Sequence, residues 1–260
     1  MNPLKTPPLE AEGRKNIYTM KNLLLSLVAI LITATTTAQT NTDISPEAAK
    51  CLNELKPFAE KAKAVWQSED GKVTFGTTPE RIERYVLYLS NACNIIDKHL
   101  SSITNMDEKL DIMWGKVDLL SNILDLYDPT GISISKTEYN QFSSTKIQTL
   151  ESMLRLSNGI SDPIDQAITL YDIFYELGES HFESEKYTEA QLCYSACISK
   201  FNAVCTIPNI QNEVDIDVMG QKAYYKMGYV AYKLNDELVA KEYYNKAKAL
   251  LDDDFIQPYK

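Results

Sequence analysis

The chain has 260 residues, 44% hydrophobic and 24% charged, with 26 bases against 36 acids and a formal net charge of −10. That balance is too apolar for a disordered chain, and its negative field works against nucleic acid or anionic membranes as partners. Nine Gly and ten Pro are too few for the many turns of a strand-rich fold, so the composition leans helical.

The first 38 residues read as an upstream extension followed by an export signal. Lys21 precedes an apolar run from Leu23 to Ile32, broken only by Ser26, and Thr35, Thr36, Thr37 and Ala38 follow before Gln39. A basic start, a short apolar core and a small-residue cleavage site make a secretory signal peptide. The run is too short to cross a bilayer, which takes about 20 apolar residues. Met20 stands directly before Lys21, whereas residues 1–19, with Pro3, Pro7 and Pro8, carry no periodicity. Cleavage after Ala38 removes four bases and two acids, leaving 22 against 34 and a net charge of −12. The expected location is the periplasm or the outside of the cell, with no integral membrane segment after cleavage.

Residues 45–160 read as a helical region, either a bundle or diverged repeats. Ser45-Pro46 is an N-cap with a first-turn proline. Leu52, Leu55, Phe58, Ala62 and Val65 form one face of the helix that follows, and Pro57 within it is expected to kink or divide it. Gly71 and Gly76 bracket a loop. Thr78-Pro79-Glu80 caps a second helix, carried by Ile82, Val86, Leu89, Cys93, Ile96 and Leu100. Asn105 with Glu108 resembles a capping box for a third, running through Met106, Leu110, Met113, Val117, Leu120, Leu124 and Tyr127 to Asp128-Pro129. Residues 132–134 suit a short extended piece. Phe142, Ile147, Leu150 and Leu154 indicate a fourth helix, closed by Asn158-Gly159.

Residues 163–254 contain an internal repeat. Phe174, Leu177, Gly178, Ala190, Tyr194 and Cys197 stand at the offsets of Tyr224, Met227, Gly228, Ala240, Tyr244 and Ala247. Helices are expected near 163–184, 187–202, 212–234 and 236–251. The glycines mark close approach of two helices, the alanines supply the matching small surface, and the aromatic residues fill the space beside them. This aromatic–Leu–Gly…Ala…aromatic…Ala spacing resembles the tetratricopeptide repeat, a helix–turn–helix unit of about 34 residues. The two copies lie 50 positions apart, which leaves about 16 inserted residues. His181 and Ala231 stand where Tyr is usual in that family, and Asn202 and Asp252 where Pro is frequent. The expected fold is therefore all-α: antiparallel helical hairpins stacked as a short solenoid, with an N-terminal helical region that supplies further packing.

The resemblance implies a binding groove along the inner helices. Its groove-facing offsets fall on Asp172, Tyr175, Glu179, Phe182 and Glu183 in the first copy and on Lys222, Tyr225, Tyr229, Tyr232 and Lys233 in the second. The family's clamp for a peptide carboxylate places Lys and Asn at two offsets held here by Tyr175 and Glu179, so that clamp is absent. What remains is an aromatic ladder with mixed charge, suited to a binding hot spot. The same tyrosines also suit a core against the upstream helices.

The chain carries no HExxH, Cys-x-x-Cys, GxSxG or phosphate-binding Gly loop, and only two histidines, His99 and His181. Asp215, Asp217 and the run Asp252-Asp253-Asp254 lack the Gly and Glu of a calcium loop. Cys51, Cys93, Cys193, Cys197 and Cys205 are an odd set, which excludes complete pairing within one chain. Cys197 sits where the repeat usually has Ala, which reads as a small buried side chain, with a disulfide or a metal site beside His181 as the competing reading. No cofactor is expected. The function expected is non-catalytic binding of a protein or peptide, or assembly scaffolding. The competing classes are an enzyme using acidic residues of the N-terminal helices, for instance on glycan, and a self-assembling subunit. Val239, Tyr243 and Leu250 on the last helix suggest a docking face for a partner or a second copy, unless Phe255, Ile256 and Tyr259 cover it.

Overall fold

A computed structural model of the chain describes residues 44–66, 78–129, 133–207 and 215–250. The segment read as an export signal, the stretch holding Gly71 and Gly76, the residues around Pro208 and the chain after Leu250 lie outside the described residues. Eight helices fill the described chain: α1 (Pro46–Val65), α2 (Pro79–Leu100), α3 (Met106–Leu124), α4 (Lys136–Ser157), α5 (Pro163–Glu183), α6 (Tyr187–Val204), α7 (Ile216–Lys233) and α8 (Glu237–Leu250). No strand occurs among the described residues, Ser133 and Ile134 included. The fold is all-α; α1 packs on α2, α2 on α3, α5 on α6, α6 on α7 and α7 on α8. It divides into two compact units between Thr145 and Lys146.

Helix starts follow from side chains that satisfy the orphan amides of the first turn. Ser45 Oγ accepts from the Ala48 N–H, Thr78 Oγ1 from Arg81, and Asp162 Oδ1 from Ile164 and Asp165. α1 runs through Pro57 without a break. Pro57 and Asn53 are both on the solvent side, so water can take the carbonyl that the ring leaves unbonded. α4 begins at Lys136, a turn and a half before its first strongly apolar position. Ser135 and Glu138 form a reciprocal cap: the Glu138 N–H donates to Ser135 Oγ at 3.2 Å and the Ser135 N–H to Glu138 Oε2 at 2.8 Å. These bonds hold the Glu138 carboxyl below its usual range.

The box expected at Asn105 is only half formed. Asn105 Oδ1 accepts from Asp107 and Glu108, but the Glu108 carboxylate turns to the start of α1. There Ser45 donates its N–H to Oε1 at 2.7 Å and its hydroxyl to Oε2 at 2.5 Å. The first unit is thus tied at its beginning to α3. Its core joins Cys51, Tyr85, Leu89, Ile96, Leu120 and Ile123 with Tyr139. Two ion pairs edge it: Lys116 with Asp97 at 2.6 Å, and Glu54, pushed down to about 2 by Lys98 and His99.

In the second unit, α5 packs on α6, α6 on α7 and α7 on α8. The hairpins α5–α6 and α7–α8 repeat one another at an offset of 50. Glu185 and Asn235 are the two non-glycine residues with positive φ, at 59° and 62°. Around them the Lys186 N–H donates to the His181 carbonyl and Asp236 to Ala231, both at 2.9 Å. These are matching left-handed helix ends. Gly178 faces α6: a Cβ there would lie 2.5 Å from the Tyr194 ring. Phe201, Met219, Ala223 and Cys197 join Tyr171 in the core between hairpins.

Two outcomes follow. Gly178→Ala drives a methyl into a fully buried ring and is expected to cost about 1–3 kcal/mol, read as a lower urea midpoint at unchanged slope. Glu108→Ala leaves the Ser45 donors without their carboxylate and is expected to cost about 1–3 kcal/mol, read in the same assay.

Candidate functional site

The inner helices of the two hairpins, α5 and α7, lie side by side. Three contacts fix them: the Tyr171 hydroxyl donates to the Met219 carbonyl at 2.7 Å, Lys226 Nζ meets Glu179 Oε2 at 2.5 Å, and the Phe182 and Tyr229 rings pack with centroids 5.0 Å apart. Glu179 is the centre of this arrangement. Its second oxygen accepts from the Tyr194 hydroxyl of α6, so one carboxylate joins α5, α6 and α7. Burial and the nearby Glu179 charge push the Tyr194 phenol far above its usual range, so it stays a donor.

The residues singled out from the sequence fall into three groups. Tyr175 turns inward, stacked on Tyr171 at 6.3 Å and edge-on to Tyr194 at 6.1 Å. Burial raises its phenol well above the ordinary value. It belongs to the wall between the hairpins. Glu179 is committed to Tyr194 and Lys226. Phe182, Tyr225 and Tyr229 form a strip, with Tyr225 and Tyr229 6.4 Å apart, and Tyr232 is half-buried one turn beyond. Lys226 and Lys233 lie 6.0 and 5.3 Å from the Phe182 and Tyr229 centroids, within reach of cation–π attraction.

The residues with repeat roles sit as packing elements. Gly178, Ala190, Tyr194 and Cys197 are buried, as are Gly228, Ala240 and Ala247, while Phe174, Tyr224 and Tyr244 are half-buried. Tyr194 packs within its own hairpin against Gly178 and also toward Met227 and Val230 of the next. Tyr224 meets Phe201 edge-on at 5.7 Å and Tyr243 at 6.0 Å, with Lys246 4.7 Å over Tyr243. Leu238, in the first turn of α8, is 85% exposed.

Charge on α5 forms a stripe of Asp172, Glu176, Glu179 and Glu183, spaced as one helix face. Lys146 of α4 is buried and pairs with Glu176 at 2.9 Å. The Asp172 carboxyl is pushed up to about 6, first by desolvation and then by Glu176, against the pull of Lys222. Asp172 is exposed, so solvent screens part of this effect. Sequence reading did not single out Lys226 or Lys146, and it left Tyr175 open between groove and core; the ring turns inward. Lys226 belongs to a helix turn that the repeat motif leaves variable, so no motif position pointed to it.

Cys51, Cys93 and Cys197 are buried free thiols, Cys193 is half-buried and Cys205 exposed. Burial lifts Cys51 and Cys193 to about 11 and Cys93 to about 12, away from thiolate chemistry. The Cys197 thiol points at the Tyr171 carbonyl, 3.6 Å away. His181 stands with its Nδ1 buried and without a hydrogen-bond partner, and burial, then Lys186, lowers its affinity for a proton. No group of three or more His, Cys, Asp or Glu is placed to hold a metal among the described residues, and no described helix is long and apolar enough to cross a membrane.

Asp172 gives a pH test. Its raised folded-state value means that the ionised carboxyl opposes folding at neutral pH. The cost is full above about 6 and fades as pH falls toward the ordinary value of 3.8. Asp172→Asn is expected to raise Tm at pH 7.5, with the gain vanishing near pH 4. An equal gain at both values excludes the carboxyl as its cause. No protein-family model matches this chain, and no curated protein is significantly similar to it.

Proposed function

We propose that the protein is an exported, non-catalytic binding or scaffold module of the tetratricopeptide type, taking a protein or peptide along α5 and α7. The observation that carries this reading is the strip of Phe182, Tyr225 and Tyr229 on adjacent inner helices, bordered by Lys226 and Lys233. Aromatic side chains give large contact area for few rotatable bonds, and rigid neighbours reduce the entropy lost on binding. The hairpin pair beneath them is held by Gly178–Tyr194 packing and the Glu179 bonds, so the strip is presented on a firm base. Tyr175 contributes to that base rather than to the contact surface.

The export half of the reading rests on the sequence between Lys21 and Gln39 and is tested by the N-terminus of the mature protein, expected at Gln39. The binding half is tested by capture from the cell envelope with wild type, Tyr229→Ala and Tyr232→Ala. Both variants are expected to lose captured protein at least about tenfold while keeping cooperative unfolding, since hot-spot truncations of this kind cost about 2 kcal/mol or more of binding. Undiminished capture by both would remove the strip from the binding surface.

A further inference from the structure

The two inner helices carry opposite charge at equivalent positions of the internal repeat. On α5 the stripe reads Asp172, Glu176, Glu179 and Glu183; fifty residues on, α7 has Lys222, Lys226, Tyr229 and Lys233. Within each helix these positions are three or four apart and share one face. The equivalence is structural as well as sequential, because both helices end on the same left-handed turn, at Glu185 and Asn235. The face is therefore an acidic stripe beside a basic stripe, with the Phe182–Tyr229 contact between them. Asp172, Glu183, Lys222 and Lys233 are exposed.

Such a face is complementary to itself under one rotation. A two-fold axis running parallel to the helices, between α5 and α7, lays α5 of one copy over α7 of the other. Acid then meets base on both sides, and the aromatic strips meet in the middle. Cross-helix contacts pair Glu179 with Lys226 and Phe182 with Tyr229, 47 positions apart rather than 50, so α7 is offset by three residues, about 4.5 Å along the axis. The stripes still face at the same level to within a turn, well within the reach of a lysine side chain. A two-fold axis across the helices would instead set acid on acid and base on base. Symmetric association through one self-complementary patch is the commonest way for soluble chains to pair, and complementary charge fixes its register.

From this we infer that the partner taken by the inner-helix face is a second copy of the same chain, in a parallel, two-fold dimer. The inference rests on the reading of α5 and α7 as the binding surface and names its occupant. Asp172, Glu183, Lys222 and Lys233 are not themselves partners in the Glu179–Lys226–Tyr194 bonds that hold each hairpin pair together.

The test uses two charge-reversed full-length variants. Lys222→Glu/Lys233→Glu puts acids at the exposed stripe positions of both helices; Asp172→Lys/Glu183→Lys puts bases there on both, with Glu176 and Glu179 left in their pairs with Lys146 and Lys226. Light scattering at tens of micromolar is expected to give twice the chain mass for wild type and the monomer mass for each variant alone. An equimolar mixture of the two variants is expected to return to twice the chain mass, because acidic α5 then faces basic α7 on one side and the reverse on the other. Circular dichroism of each variant checks that it is folded; where a double variant is not, a single reversal of the same sign serves in its place, Lys233→Glu for the acidic one and Glu183→Lys for the basic one. A monomeric wild type, a dimer that survives both reversals, or a mixture that stays monomeric overturns the proposal. The wider binding reading is judged separately. If wild type is monomeric yet captures an envelope protein that Tyr229→Ala loses, the surface stands and its occupant is a foreign chain.

Discussion

Tyr194 can reach Glu179 because residue 178 has no side chain. The ring lies where a Cβ on Gly178 would stand, and from there its hydroxyl meets the carboxylate that also holds Lys226. Hairpin closure and hairpin stacking therefore share one set of atoms. A side chain at 178 would push α6 from α5, withdraw the Tyr194 donor, and leave Glu179 answered only from α7. Part-buried charges are costly unless paired and hydrogen-bonded, so the packing contact and the ion pair stand or fall together. Removing either member is expected to be felt in both, a coupling that additive bookkeeping misses.

The same carboxylate sets the charge of the inner face. With its two oxygens taken by Tyr194 and Lys226, Glu179 neutralises the cation nearest the strip and leaves no charged clamp for a free peptide carboxylate at that offset. Lys146 does the same to Glu176 from α4. Asp172 and Glu183 on α5 and Lys222 and Lys233 on α7 are exposed and set the polarity of the face. Asp172 is the costly one among them, since desolvation and a like charge both oppose its ionisation.

Much of the fold was legible in the sequence because its signals are local. Ser45-Pro46, Thr78-Pro79 and Asp162-Pro163 mark helix starts by chemistry that acts within three residues. The second-unit helices follow from the repeat spacing, with ends at Glu183 and Lys233 fifty apart. The failures are where a side chain had a choice of partners. Glu108 has the spacing of a capping box with Asn105, but Ser45 offers two donors at once. Ser135 and Glu138 have the same spacing, and no competitor diverts them. α1 continues through Pro57, where the Asn53 carbonyl left without its donor lies on the solvent side. Periodicity reports burial and capping motifs report local options; neither reports which distant group wins.

The candidate site shows the same division. Phe182 and Tyr229, both named from the repeat offsets, lie in ring contact. The repeat also assigns Tyr175 to their face, because offset alone cannot tell a ring that looks outward from one that turns back. The difference lies in the neighbours. Tyr175 has Tyr171 one turn before it and Tyr194 across from it, so burial against two rings outweighs exposure to solvent. At the equivalent place on α7, Tyr225 instead has Tyr229 one turn after it, which draws it along the strip. Two tyrosines at one repeat offset thus take different roles because a single helix turn beside each carries its aromatic partner on opposite sides.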